Sequence, residues 1–238
     1  MTATAALVGY ATFLAAAFGV RSVIHRRRTG ATAWLVPPTP AARVGDGLFA
    51  VGVAAIVVAP VLDLAGWLEP LGAPDQLPVN AAGVVLLAGG AAVALVAQAQ
   101  MGTAWRAGIE VAERYDLVRA GLFSIVRNPF YLGTLTASLG VALMVPSVAS
   151  LAGWLAVLAG CEVDVRLVEE PHLRAVHGAA YAAYEGSVPR FVPLRRPGSH
   201  RAQEPRRVGG GGGAGRGATT LRRKSNDEDG SWVDDGGH

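Results

Sequence analysis

The chain has 238 residues, of which 51% are hydrophobic and 16% are charged, and its formal net charge at pH 7 is +3. Soluble domains carry about 25% charged residues, so this composition excludes an ordinary soluble domain and indicates an integral membrane protein. The single cysteine, Cys161, excludes an intramolecular disulfide and a metal site built on several cysteines. We therefore expect membrane helices as the framework and no metal centre.

Five apolar stretches predict an all-α, polytopic membrane protein with about five transmembrane helices. They cover roughly residues 4–20, 48–68, 79–99, 131–145 and 148–161. A helix needs about 20 apolar residues to cross a bilayer, which three of the stretches supply alone. The last two are separated only by Pro146-Ser147 and are predicted to form a tight helical hairpin, which either crosses the bilayer or dips deeply into it.

The basic residues predict the orientation, because Lys and Arg near the ends of spans collect on the cytoplasmic side. None of the 21 Lys and Arg residues lies in the predicted outer segments, residues 1–3, 69–78 and 146–147. The amino terminus is therefore predicted outside and the carboxyl terminus in the cytoplasm. The basic residues follow the first apolar stretch, which favours an uncleaved span over a signal peptide. An Ala-, Gly-, Val- and Arg-rich composition with one Lys favours a bacterial inner (plasma) membrane.

Composition and motifs divide the chain into three predicted regions. Residues 1–100 hold three predicted transmembrane helices, and residues 101–194 hold a surface loop, the hairpin and a carboxyl-terminal motif. Trp105 is a plausible interfacial anchor of that loop. Residues 195–238 are rich in Gly, Arg, Ser and Asp, and are predicted to form a disordered cytoplasmic tail because they offer little apolar surface for folding.

Polar motifs are concentrated just before the hairpin. They are Asp116-Leu117-Val118, Gly121, Phe123, Arg127-Asn128-Pro129 and Tyr131. Gly121 and Asn128-Pro129 indicate irregular backbone, whose amide groups must find partners at bilayer depth. A bound polar cofactor is one such partner. The guanidinium of Arg127 has a geometry suited to a carboxylate.

A second group of polar residues follows the hairpin. It comprises Glu162, Asp164, Arg166, Glu169 and Glu170, and then Gly178, Tyr181, Tyr184 and Val188-Pro189-Arg190-Phe191. Arg166 lies four residues from both Glu162 and Glu170, so a regular helix would place all three on one face as ion pairs. Such pairing and a functional site both account for ionisable residues close to membrane depth.

Together these motifs resemble the isoprenylcysteine carboxyl methyltransferase family, in a bacterial-type form, and related motifs occur in phospholipid methyltransferases. The resemblance covers residues 116–193. It implies that S-adenosylmethionine binds in a pocket on the cytoplasmic side and that a lipophilic acceptor enters from the bilayer. The implied cofactor-binding residues are Asp116, Leu117, Val118, Gly121, Phe123, Arg127, Asn128, Pro129, Tyr131, Glu169, Glu170 and Tyr181.

The sequence departs from the family pattern at three positions, so the resemblance does not identify the acceptor. Asn128 stands where the family usually has His, and His177 stands where Phe normally precedes Gly178. The family's substrate-side arginine would fall at Val165, and Arg166 is the nearest candidate for a substrate-binding residue.

The resulting hypothesis is direct methyl transfer from S-adenosylmethionine to an isoprenoid-like or other lipid acceptor among the membrane lipids. Positioning alone can lower such a barrier by about 7 to 11 kcal/mol, so no catalytic nucleophile is predicted. Nucleic acid is not an expected partner. The alternatives are a membrane NADPH-dependent sterol or enone reductase and a non-catalytic membrane scaffold.

Overall fold

The computed structural model describes residues 1–32, 37, 39–69, 71, 77–102 and 116–192. Those residues form helices and connections without strands, which confirms the predicted all-α class. The helices are α1 (Thr2–Thr29), α2 (Pro40–Leu64), α3 (Leu77–Met101), α4 (Pro129–Met144), α5 (Val148–His177) and α6 (Ala179–Ser187). The surface loop around Trp105 and the tail from residue 195 lie outside the described residues.

Four of the helices, α1, α2, α3 and α5, are long and apolar enough to cross a membrane. The fifth apolar helix, α4, has 16 residues and is therefore about 24 Å long, which is short of the roughly 30 Å core of a bilayer. The helices extend beyond the apolar stretches seen in the sequence: α1 continues to Thr29 and α5 to His177. Hydropathy marks only the part of a helix in the hydrocarbon layer, whereas hydrogen bonding continues the helix into polar sequence.

The predicted hairpin is present, and α4 and α5 are joined by residues 145–147. Ser147 caps α5 in a reciprocal arrangement with Ser150, which also donates a hydrogen bond to the Val145 carbonyl. The two hairpin helices nevertheless pack mainly against other partners, because α4 lies along α3 and α5 lies along α2. Helices from both sides of the predicted boundary at residue 100 therefore pack together.

Glycines seven residues apart bring each helix pair into close contact. The pairs are Gly83 and Gly90 on α3 with Gly133 and Gly140 on α4, and Gly45 and Gly52 on α2 with Gly153 and Gly160 on α5. A Cβ on Gly90 would lie 2.4 Å from the Ala137 nitrogen, and one on Gly140 would lie 2.4 Å from the Leu87 nitrogen. Small residues thus allow the antiparallel backbones to touch, as is common between membrane helices.

We expect Gly90→Ala to destabilise the protein by about 1–3 kcal/mol, the usual cost of overpacking. Its neighbour Gly89 is the matched control, since a Cβ there meets nothing within 4 Å. Gly89→Ala should be neutral or stabilising by up to about 1 kcal/mol because Ala favours a helix more than Gly. Thermal unfolding in lipid nanodiscs measures both variants. Equal effects of the two would contradict close α3–α4 packing.

Buried polar contacts fix α1 and α5 against α4. The hydroxyls of Tyr10 and Ser138 lie 2.7 Å apart, and Trp154 Nε1 donates a hydrogen bond to the Leu135 carbonyl at 3.0 Å. A π-helical turn at Ala15–Val20 interrupts α1, and Gln98 Nε2 donates to the Ala17 carbonyl within it at 2.9 Å. These contacts hold the bundle in one arrangement. We call the end where α1, α3 and α5 finish the basic end, because Arg26–Arg28 lie there at the end of α1.

Candidate active site at the basic end

The Arg127-Asn128-Pro129 motif and the Val188-Pro189-Arg190-Phe191 motif are joined by backbone hydrogen bonds. The Arg127 amide donates to the Pro189 carbonyl at 2.8 Å, and the Asn128 amide donates to the Arg190 carbonyl at 3.1 Å. Pro129 then begins α4, where its missing N–H is tolerated. Two motifs some 60 residues apart therefore form one structural unit, which supplies the amide partners that the irregular backbone requires.

A short 3₁₀ turn, Gly121–Ser124, precedes this unit and is held from two sides. Gly121 has a φ of 63°, which favours glycine, and a Cβ there would lie 2.5 Å from Gln100 Nε2. The Gln100 side chain accepts a hydrogen bond from the Leu122 amide at 2.9 Å. The Tyr184 hydroxyl donates to the Phe123 carbonyl at 2.6 Å, and burial raises the pKa of Tyr184 to about 12. The turn is thereby fixed between α3 and α6.

Tyr131 and Glu169 connect the two sides of the hairpin directly. The Tyr131 hydroxyl donates to Glu169 Oε1 at 2.6 Å. An aromatic cluster adjoins this pair: the Phe130 ring lies 5.7 Å from Tyr131 and 6.0 Å from Phe18, measured between centroids. A carboxylate of fixed orientation therefore lies beside an apolar aromatic surface.

Beside this pair lies an ion-pair cluster made of two glutamates and three arginines: Glu170, Glu185, Arg127, Arg174 and Arg190. Glu170 is 2% exposed, and Arg190 binds both of its carboxylate oxygens at 2.8 and 2.7 Å. Arg127 bridges the two glutamates at 3.1 Å from each, and Arg174 also contacts both. The cluster connects the start of α4 with α5, α6 and the carboxyl-terminal motif.

The charges in this cluster shift one another's pKa values. Hydrogen bonds from Arg174, and then from Arg127, lower the pKa of Glu185 to about 2 despite partial burial. The hydrogen bond to Glu170 raises the pKa of Arg190. Both shifts favour the charged forms, so Glu185 and Arg190 are ionised across the physiological pH range.

Residues 79–180 match the model of the phospholipid methyltransferase family. This part of the chain is similar to that family. No curated protein matches the chain. The family match covers most of α3, all of α4 and α5, and the first residues of α6, so it includes both sides of the Tyr131–Glu169 contact. The similarity supports a membrane methyltransferase that acts on lipid-like substrates.

Within this methyltransferase, the predicted site residues are distributed unevenly. Most lie at the contacts described above: Gly121, Phe123, Arg127, Asn128, Pro129, Tyr131, Glu169 and Glu170. Tyr181 is buried and packs edge-on against Tyr184, with ring centroids 6.1 Å apart. Asp116 lies with Leu117 and Val118 in a segment without regular secondary structure, and it is exposed. Their roles in cofactor binding stay predictions.

The expected pairing of Arg166 with Glu170 was wrong. Arg166 pairs with Glu162, and its side chain is 57% exposed. A π-helical turn at Val165–Glu169 shifts the helical register by about one residue, so that Glu170 points into the arginine cluster instead. The one arginine near the family's substrate-side position therefore faces away from Glu170.

Sequence reasoning missed several residues that the methyltransferase places at or beside the site. Gln100 holds the Gly121–Ser124 turn, and Glu185 and Arg174 complete the ion-pair cluster. The four-residue spacing of Glu170 and Arg174 was a readable signal for one of these pairs. Nothing in the sequence around Gln100 or Glu185 indicated partners 22 and 11 residues away.

Low pH should weaken the cluster through Glu185. Its pKa in the folded protein, about 2, lies below the usual value near 4.3 of an unfolded Glu, so its stabilising contribution is present above about pH 4 and is lost as the pH falls toward 2. We expect Glu185→Gln to lower the midpoint of thermal unfolding at pH 7 and to have no effect near pH 2. A difference from wild type that stays constant from pH 7 to pH 2 would contradict this assignment.

Proposed function

We propose that the protein transfers a methyl group from S-adenosylmethionine to a lipophilic acceptor, isoprenoid-like or another lipid, at the cytoplasmic leaflet. The observation that carries the proposal is the contact between motifs on opposite sides of the hairpin. Tyr131 meets Glu169, Arg127 meets Glu170, and the Arg127-Asn128 backbone pairs with residues 189–190. Packing of apolar helices does not require this convergence of polar residues, whereas a site for a polar cofactor does.

The charges of the site suit the proposed cofactor. S-adenosylmethionine carries a sulfonium, an ammonium and a carboxylate. Glu169, oriented by Tyr131, offers a carboxylate to a positive group, and the buried Nε of Arg127 has no hydrogen-bonding partner among the residues that the structure describes. The site thus offers a carboxylate for the positive groups of the cofactor and a guanidinium for its carboxylate.

The cofactor supplies a methyl group that is already activated for displacement, so the residues of the chain need only bind, orient and exclude water. Glu169 and Tyr131 orient the polar part, because their hydrogen bond restricts both side chains. Phe18 and Phe130 provide an apolar surface against which an acceptor chain can lie. Alignment of donor and acceptor by these groups reduces the entropic cost of the reaction.

The acceptor is expected to reach the site from the bilayer. The basic end carries Arg21, whose Nη2 donates to the Gln98 carbonyl at 2.9 Å, and Arg26–Arg28 at the end of α1. Basic residues of this kind favour the cytoplasmic leaflet and its anionic headgroups. An acceptor with its reactive group at the headgroup level would therefore meet the polar residues of the site.

The test is to incubate the protein in lipid nanodiscs with methyl-labelled S-adenosylmethionine and a bacterial lipid extract, and to identify the labelled product by mass spectrometry. We expect label in a lipophilic product and protection of the protein from thermal unfolding by S-adenosylmethionine. Protection by NADPH alone would support the reductase instead. Absence of both labelling and protection would overturn the proposal.

A further inference from the structure

Asp164 is a buried carboxylate that has no partner among the described residues. Its exposure is 7%, and it forms neither a hydrogen bond nor an ion pair with them. A Cβ on Gly45 would lie 1.8 Å from Asp164 Oδ1, so the glycine provides the space that this carboxylate occupies. The side chain therefore points from α5 toward α2, where Asp46 follows Gly45.

Two further carboxylates lie within electrostatic range of Asp164. These are Asp46 on α2 and Glu169 on α5, and each of them also interacts with the other. The only hydrogen bond that Glu169 receives from the described residues is that of Tyr131, which is uncharged. This part of the site therefore holds three carboxyl groups, whereas Arg127, Arg174 and Arg190 belong to the neighbouring ion-pair cluster.

The π-helical turn at Val165–Glu169 aligns the two carboxylates of α5. In a regular α-helix, residues five apart point about 140° away from each other, because each residue turns the chain by about 100°. In a π-helical turn the hydrogen bonds join residues five apart, which brings such residues to nearly the same face. Single π-turns inside α-helices occur frequently at functional sites.

No described arginine neutralises Asp164 and Glu169. Arg166, the nearest in sequence, is exposed and bound to Glu162. The other arginines close to the site are bound to Glu170 and Glu185: Arg127, Arg174 and Arg190. A buried carboxyl group becomes neutral unless a partner stabilises its charge, and a cation from outside the described residues is the partner that would stabilise the charged forms of Asp164 and Glu169.

We propose that Asp164, together with Glu169, binds an organic cation, either the sulfonium or ammonium of the methyl donor or the ammonium of a lipophilic acceptor. The inference rests on the proposed function and makes Asp164 a residue that determines specificity. A site lined by the carboxylates of Asp164 and Glu169 repels a carboxylate acceptor and attracts a cationic one.

The experiment compares Asp164→Asn with wild type in nanodiscs by measuring the dissociation constants of S-adenosylmethionine, S-adenosylhomocysteine, oleylamine and oleyl alcohol. An increase of about tenfold in the dissociation constant of S-adenosylmethionine alone, the order expected for one lost charged interaction, identifies the sulfonium as the group that Asp164 binds. Equal weakening of both nucleosides identifies the ammonium of the donor. Weaker binding of oleylamine with unchanged binding of oleyl alcohol identifies the ammonium of an acceptor as the group that Asp164 binds.

Unchanged affinity for all four probes, with a normally folded variant, would overturn the inference. Asp63→Asn, at the other end of α2, is the matched control and should change none of the four. If Asp164→Asn does not fold, Asp46→Asn tests the same negative region from an exposed position, and its failure to weaken any cation would also overturn the inference. If the wild-type protein binds neither S-adenosylmethionine nor S-adenosylhomocysteine, the proposed function is refuted. The binding of oleylamine and oleyl alcohol to Asp164→Asn and to wild type would still test whether Asp164 binds a cation.

Discussion

Glu169→Gln is expected to lower kcat/KM for methyl transfer by about 10- to 100-fold, which corresponds to the loss of a hydrogen bond to a charged group. The glutamine retains the size of the side chain but not its negative charge, so the attraction to a positive ligand is lost. Tyr131 donates to Glu169 Oε1 at 2.6 Å and therefore acts as a positioning residue. Tyr131→Phe should have a smaller effect than Glu169→Gln. Label transfer at varied S-adenosylmethionine concentration measures both variants.

Tyr10→Phe is the matched control for the hydroxyl deletion at Tyr131. Tyr10 is 1% exposed, and its hydroxyl lies 2.7 Å from that of Ser138 in the interior of the bundle. Its loss should lower stability by about 1 kcal/mol, the usual net contribution of a hydrogen bond, without changing kcat/KM. Wild-type kinetics in Glu169→Gln, with labelling intact, would remove Glu169 from the site and leave the Tyr131 contact with a structural role only.

Glu170→Gln is expected to destabilise the protein by about 3–5 kcal/mol, because removing one member of a buried ion pair leaves the other charges unbalanced. Glu170 is 2% exposed and contacts three arginines, which come from different elements. Its neutralisation leaves Arg127 and Arg190 with too little negative charge nearby. Thermal or chemical unfolding in nanodiscs measures the change.

The control for this variant is Glu162→Gln on the same helix. Glu162 also pairs with an arginine, but its side chain is 32% exposed and that of Arg166 is 57% exposed. Exposed pairs contribute about 0–1 kcal/mol, so this substitution should have little effect on stability. Similar losses for both variants would show that burial does not set the strength of the cluster. A Glu170→Gln protein as stable as wild type would contradict the stabilising role of the buried ion pairs.

The ion-pair cluster also has a functional consequence. Arg127 precedes the Tyr131 turn of α4, Glu170 follows Glu169, and Arg190 lies in the carboxyl-terminal motif. Ion pairs among these residues therefore fix the chain on both sides of the proposed ligand-binding pair. The residues that resemble the family motif thus divide into two groups, one that can contact a cofactor and one that holds the first in place.

The helical framework could be predicted from the sequence because crossing a bilayer imposes a simple requirement on length and polarity. The apolar stretches predicted the central parts of the helices. The ends of α1 and α5 were not predicted, because Arg21–Thr29 and Glu162–His177 are polar in sequence. The family resemblance likewise grouped motifs that are in contact in the structure, because their order along the chain can be read without knowledge of the contacts.

The sequence by itself determined the all-helical membrane class and the hairpin, because these depend on composition and local order, and it supplied the candidate site residues as predictions. Only the tertiary structure decided which charges meet. The π-helical turn at Val165–Glu169 lies between Asp164 and Glu170 and changes the helical register. The two side chains therefore do not have the relative directions that a regular helix would give them. Helix packing determined the remaining contacts, because glycines allow α2 to approach α5 and α3 to approach α4. The resulting contacts of Gln100, Gly45 and Asp164 could not be inferred from the spacing of residues in the chain.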